Sequence, residues 1–116
     1  MTALKLRILF DGAMIGPGKA ALLDGIAATG SIAAAGRRMQ MSYKRAWMLV
    51  ETLNAMFSEP LVASSRGGPG GGGAVLTEAG RTVLGLYREL EIAAAIAGAA
   101  QLEALQARLK PTGPAK

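Results

Sequence analysis

Two predicted helices joined by only about three residues and a cap place the tightest constraint on what this chain can fold into. Ser31 is a good helix N-cap. Ile32 to Arg38 then reads as a short helix of small side chains, with Ala33, Ala34, Ala35 and Gly36 in sequence. Such side chains let another helix pack close. Met39, Gln40 and Met41 leave room for a tight connection, and Ser42 is again a plausible cap. The next helix is predicted from Tyr43 to about Phe57. Ala46, Leu49, Val50, Leu53, Met56 and Phe57 recur along it at helical spacing and make one buried stripe. Glu59-Pro60 closes it, because a residue before proline is pushed out of the helical region. Two helices so joined have helix-turn-helix geometry, with the second helix in the recognition position.

The flanking segments extend this unit. Residues 4–10 alternate apolar and polar and predict a strand. Gly12, Gly16, Pro17 and Gly18 predict a loop after it. From Lys19 the period changes, and Leu22, Leu23, Ile26 and Ala27 line one face of a first helix that Gly30 stops. After the recognition helix, residues 61–66 and 74–77 are short β-capable runs around a glycine-rich stretch, a hairpin pattern with a long tip. The first strand is expected to join that hairpin in one small sheet. Thr77 then caps a long C-terminal helix reaching about Arg108. Val83, Tyr87, Leu90, Ala94 and Ala97 form a seam along it at spacings of four and three. Gly98 is a weak point where it can break and fold back. The reading is a mainly α chain with a small β-sheet: a winged helix-turn-helix over residues 1–76, a helical dimerisation segment over 77–110, and a frayed tail over 111–116.

Composition narrows the function. With no cysteine and no histidine, the chain cannot build a thiol nucleophile, a His general base or a Cys/His zinc site. Asp11, Asp24, Glu51, Glu59 and Glu78 are scattered over different elements, in no metal-binding spacing. No enzyme, metal or cofactor is expected. Thirteen Lys and Arg against eight Asp and Glu leave a charge of +5, which favours a polyanionic partner. The longest apolar-or-glycine run near the C-terminus, residues 92–100, is under half of the roughly 20 residues a membrane span needs. The C-terminal helix is too mixed in charge and too rich in alanine for a membrane-surface helix. A cytoplasmic protein without membrane contact is expected.

Ser42, Tyr43, Lys44 and Arg45 carry the strongest signal. They open the predicted recognition helix, where side chains reach base edges and phosphates. Cations at a helix N-terminus oppose the helix dipole by roughly 0.3–1 kcal/mol each. Two adjacent ones favour a DNA contact over a merely solvated turn. Arg37 and Arg38 fit either the C-terminal dipole of the short helix or phosphate contact. Trp47 fits either the edge of the core or a contact with DNA. Residues 67–73 lack the G-K-[ST] ending of a phosphate loop and precede a strand. They read instead as a wing tip with Arg66 at its base, where Gly70 and Gly71 allow close approach to the DNA backbone.

The stretch from LLDGIAATGSIAAAGRRMQMSYKRAWMLVETLN through EPLV to GGGGAVLTEAGRTVL resembles the N-terminal winged-helix domain of ModE-type molybdate-responsive regulators. More loosely it is similar to the LysR-type DNA-binding domain, through the small residues of the second helix and the LT-x-A-G that opens the next. The specific features are MSYKRAW and the glycine-rich wing before AVLT. The resemblance implies a homodimeric transcription regulator that binds double-stranded DNA. It puts Ser42, Tyr43, Lys44 and Arg45 on the recognition helix, residues 67–73 on the wing and residues 83–97 on the dimerisation helix. Full-length relatives of that type continue into a molybdate-binding region. This sequence stops at Lys116, so no molybdate binding within it is expected. The alternative is a weakly specific nucleoid-like or adaptor protein that uses the same fold.

Overall fold

The computed structural model describes residues 3–65 and 73–111. A hairpin at the N-terminus, β1 (Ile8–Phe10) and β2 (Ala13–Ile15), precedes three helices: α1 (Pro17–Thr29), α2 (Ile32–Arg38) and α3 (Tyr43–Met56). A second hairpin, β3 (Val62–Ser65) and β4 (Gly73–Leu76), leads into α4 (Glu78–Ala97) and α5 (Ala99–Ala107).

The helix-turn-helix forms where the sequence places it. The Ser31 hydroxyl accepts from the Ala34 N–H and that of Ser42 from the Arg45 N–H, so both helices start on side-chain caps. Gln40 takes a left-handed conformation, φ 59°, and the N–H of Met41 returns to the Gly36 carbonyl at 3.0 Å. Small residues set the spacing between helices. A Cβ at Gly25 would stand 2.9 Å from the Ala35 Cβ, and one at Gly36 would stand 2.9 Å from the Ala46 Cβ. Alanine at either glycine would therefore force α1, α2 and α3 apart.

The core lies between these helices and the second hairpin. Leu22, Leu23, Ile26, Ala35, Ala46, Val50, Leu53, Leu61 and Leu76 are buried together. Leu49, Met56 and Phe57 of the predicted α3 stripe pack half-buried against it. Ala27, expected on the buried face of α1, is exposed, and Gly25 is buried in contact with α2 instead.

The N-terminal strand departs from the expectation. β1 covers only Ile8–Phe10 and pairs antiparallel with β2, Ile8 opposite Ile15 and Phe10 opposite Ala13. This sheet is separate from β3–β4, in which Val62 pairs with Leu76 and Ser65 with Gly73. The cause is the Asp11-Gly12 turn, with Gly12 at φ 83°: aspartate-glycine is a strong two-residue hairpin signal and folds the strand back on itself. The residues expected as loop are thus β2 and the start of α1, with Pro17 in the first turn where its missing N–H costs nothing. The long C-terminal helix is interrupted at Gly98, which ends α4 and starts α5, and α5 has no buried residue.

Candidate nucleic-acid interface

Every position of α3 can be placed by its 100° step per residue. Ala46, Val50 and Leu53 point into the core. The stripe opposite them is Lys44, Met48, Glu51 and Ala55, all exposed. Tyr43 and Trp47 flank this stripe on one side; Arg45 and Thr52 flank it on the other. Tyr43 and Trp47 border a groove of about 520 Å³ between the start of α2, α3 and the second hairpin, whose far wall includes Val62, Ser64 and Ala74. Trp47 is therefore a wall of this groove at 39% exposure, neither core nor free surface.

Arg37 and Arg38 are exposed in the last turn of α2, one short turn before Lys44 and Arg45. No acid lies between Arg37 and Arg45. Among the described residues the ion pairs are those of Arg88, with Asp24 and with Glu91, so these four cations are unpaired. Four unpaired positive charges at the end of α2 and the start of α3 can attract a polyanion, and the groove walled by Tyr43 and Trp47 offers apolar surface on one flank of the same helix. Arg66, Gly70 and Gly71, predicted for the wing tip, lie outside the described residues.

Asn54, which sequence reasoning missed, ties the hairpin to α3. Its Oδ1 accepts from the N–H groups of Leu61 and Val62 at 2.8 and 3.0 Å, and its Nδ2 donates to the Val62 carbonyl at 3.2 Å. These bonds set the hairpin's position beside the recognition helix. A polar residue next to a buried stripe was the one sign of it in the sequence.

The predicted seam on α4 divides in two. Tyr87 is buried against Ile15 and Ala20, and its hydroxyl donates to the Leu6 carbonyl at 2.5 Å. Val83 packs half-buried on the same cluster. Both residues pack within this chain, because the N-terminal hairpin, whose first strand the sequence assigns to the other sheet, covers that face of α4. Burial holds the Tyr87 hydroxyl above its ordinary pKa of 10.0, with Glu91 adding to the effect. Bonds to Asp24 and then Glu91 raise the Arg88 guanidinium further. Leu90 and Ala97 face outward and Ala94 is half-buried. An exposed stripe of α4 that shares Leu90 and Ala97 with the predicted seam is Leu86, Leu90, Ala93 and Ala97. Leu86 and Leu90 share an apolar groove of about 160 Å³ with Phe10.

Among the described residues no helix is long and apolar enough to cross a membrane. A three-helix core, a recognition helix bearing unpaired cations and a hairpin at its side define a winged helix-turn-helix domain of the DNA-binding class. The family described as bacterial regulatory helix-turn-helix protein, lysR family, matches residues 19–81, and the chain belongs to it. Over 80 residues the chain is 45% identical to the molybdenum-pterin-binding protein MopB of Rhodobacter capsulatus, covering 69% of this chain and 30% of that protein. It is 45% identical over 71 residues to the molybdenum transport protein ModE of Azotobacter vinelandii, 61% of this chain and 26% of that one. The DNA-binding transcriptional dual regulator ModE of Escherichia coli (strain K12) is 41% identical over 71 residues, 61% of this chain and 27% of its own. The chain thus spans under a third of the length of these relatives. The fold is also that of the protein in the crystal structure of a CbnR_DBD–DNA complex, with TM-score 0.59 and 24% identity over 76% of this chain and 95% of that one.

Proposed function

We propose that this chain acts as a sequence-specific transcription regulator that binds double-stranded DNA as a homodimer in the cytoplasm. The observation that carries the reading is the cluster of unpaired Arg37, Arg38, Lys44 and Arg45 around the exposed start of α3. Ser42 fixes the first turn through its cap, and its neighbours Tyr43, Lys44 and Arg45 enter the major groove. Arg37 and Arg38 neutralise phosphates, and the hairpin follows the adjacent backbone. Molybdate recognition forms no part of the role proposed for these residues, and neither does catalysis.

Pairing rests on surface that one copy leaves bare. Leu86 and Leu90 are 60% and 44% exposed, and Leu9 and Phe10 of the first hairpin are 74% and 49% exposed. A second copy related by a two-fold axis covers such a patch with its own equivalent. It also sets two recognition helices about one DNA turn, near 34 Å, apart. Of the seam Val83, Tyr87, Leu90, Ala94 and Ala97, this reading keeps Leu90 and Ala97 at the interface and adds Leu86 and Ala93.

Selection of bound sequences from a random DNA library tests both parts. A palindromic consensus is the expected outcome. No enrichment would favour the weakly specific nucleoid-like or adaptor role. Lys44→Ala and Arg45→Ala separate the contacts. A lost base contact costs about 1–3 kcal/mol at one position of the site, and a lost phosphate contact weakens all sequences and lowers the salt slope by about one. Wild-type affinity in both variants would remove α3 from the interface.

A further inference from the structure

Specific DNA recognition by α3 leaves open which base features its outward face can read. Asparagine and glutamine are the side chains that pair bidentately with adenine. The single asparagine of α3 is Asn54, and both ends of its side chain are engaged by the backbone of Leu61 and Val62. Thr52 sits at the edge of the face, and its hydroxyl donates back to the Met48 carbonyl at 3.0 Å. The central stripe is left with a cation at Lys44, an anion at Glu51 and, between them, Met48.

Met48 is 56% exposed, one turn beyond Lys44 on the same stripe. Trp47 stands beside it and Tyr43 one turn before, at 39% and 55% exposure. An apolar side chain at the centre of a major-groove face has one matching feature on B-DNA, the C5-methyl group of thymine. Charge complementarity brings the duplex to this face, because Lys44 lies on the same stripe and Arg45 borders it, and neither is paired within the chain.

We propose that Met48, on the outward face of α3 flanked by Trp47, reads thymine through its C5-methyl group, making this residue a specificity determinant for a half-site with thymine opposite the second turn of α3. The inference rests on the DNA-binding reading above. Thymine differs from uracil only by that methyl group, so replacing single thymines of a selected site by deoxyuridine leaves every base-pair hydrogen bond in place.

The test measures the affinity of the full chain for its selected duplex and for a series of duplexes carrying deoxyuridine at one position each. Burial of one methyl group predicts a loss of about fourfold at one symmetry-related pair of positions. That loss should vanish in Met48→Ala, where the exposed position leaves folding intact, and return in Met48→Leu, which restores an apolar side chain of similar volume. Wild-type protein that binds every deoxyuridine duplex as tightly as the parent would overturn the proposal while leaving the DNA-binding reading untouched. A loss that persists unchanged in Met48→Ala would also overturn it, because the methyl group is then read by another residue. Failure of the wild-type chain to select any duplex would overturn both readings together.

Discussion

Replacing Gly80 by alanine sets helix propensity against tertiary packing. Gly80 lies in the first turn of α4, where alanine in place of glycine ordinarily stabilises by about 0.4–1 kcal/mol. In the folded chain a Cβ at this position would stand 2.1 Å from the Leu61 carbonyl oxygen and 3.0 Å from its carbon. The approach to the oxygen is more than about 1 Å inside van der Waals contact. The carbonyl cannot swing away. It accepts the Thr77 N–H at 2.9 Å, while the Leu61 N–H is held by Asn54 at 2.8 Å and its side chain is fully buried. The first turn of α4 must therefore lift off the hairpin. Overpacking of this kind costs about 1–3 kcal/mol. Losing the Thr77 bond adds about 0.5–1.5 kcal/mol. Offset by the gain in propensity, the net destabilisation is about 0.5–4 kcal/mol, centred near about 2 kcal/mol. Urea unfolding reads the central value as a fall in midpoint on the order of 1 M, at the slopes usual for small domains. Gly85→Ala is the matched control, since a Cβ at Gly85 of the same helix meets nothing within 4 Å. It should raise stability by up to about 1 kcal/mol. A midpoint for Gly80→Ala equal to or above wild type would show that α4 does not rest on Leu61, and the docking of the second hairpin would have to be redrawn.

Asn54→Ala should cost about 2–4 kcal/mol, because two backbone N–H groups and one carbonyl lose their partner. Thermal unfolding measures the loss, and a cost below about 0.5 kcal/mol would mean that the hairpin is held elsewhere. Tyr87→Phe removes the bond to Leu6 and should cost about 1 kcal/mol at neutral pH. The folded chain holds the Tyr87 proton more tightly than the unfolded one, so its stability is fully present below pH 10 and falls as pH rises further. Urea midpoints of wild type measured from pH 8 upward should show that decline, and Tyr87→Phe should show less of it; parallel curves would refute the assignment. Leu90→Glu should give folded monomers with much weaker operator binding, as avidity is lost. Sedimentation checks it, and a wild-type chain that is monomeric at micromolar concentration would exclude the pairing surface.

The parts legible in the sequence are those decided within a few residues of themselves. Ser31, Ser42 and Thr77 cap α2, α3 and α4 because a hydroxyl reaches the N–H three residues on, whatever lies beyond. The buried stripe of α3 follows from its own periodicity, and the cations at Arg37, Arg38, Lys44 and Arg45 are exposed because nothing local could neutralise them. Tertiary structure decided what distant segments do to one another. Tyr87 reads as one step of an exposed seam until Leu6, 81 residues earlier, supplies the acceptor that draws it inward. The spacing of Arg88 and Glu91 along α4 shows one partner, but Asp24, 64 residues away, pairs with Arg88 only in the folded chain and ties α4 to α1. Gly80 reads as a weakness in a helix until the Leu61 carbonyl occupies the place of its missing side chain. Spacing along the chain determines which face of a helix is apolar, but which neighbour covers that face is settled only when the whole chain is packed.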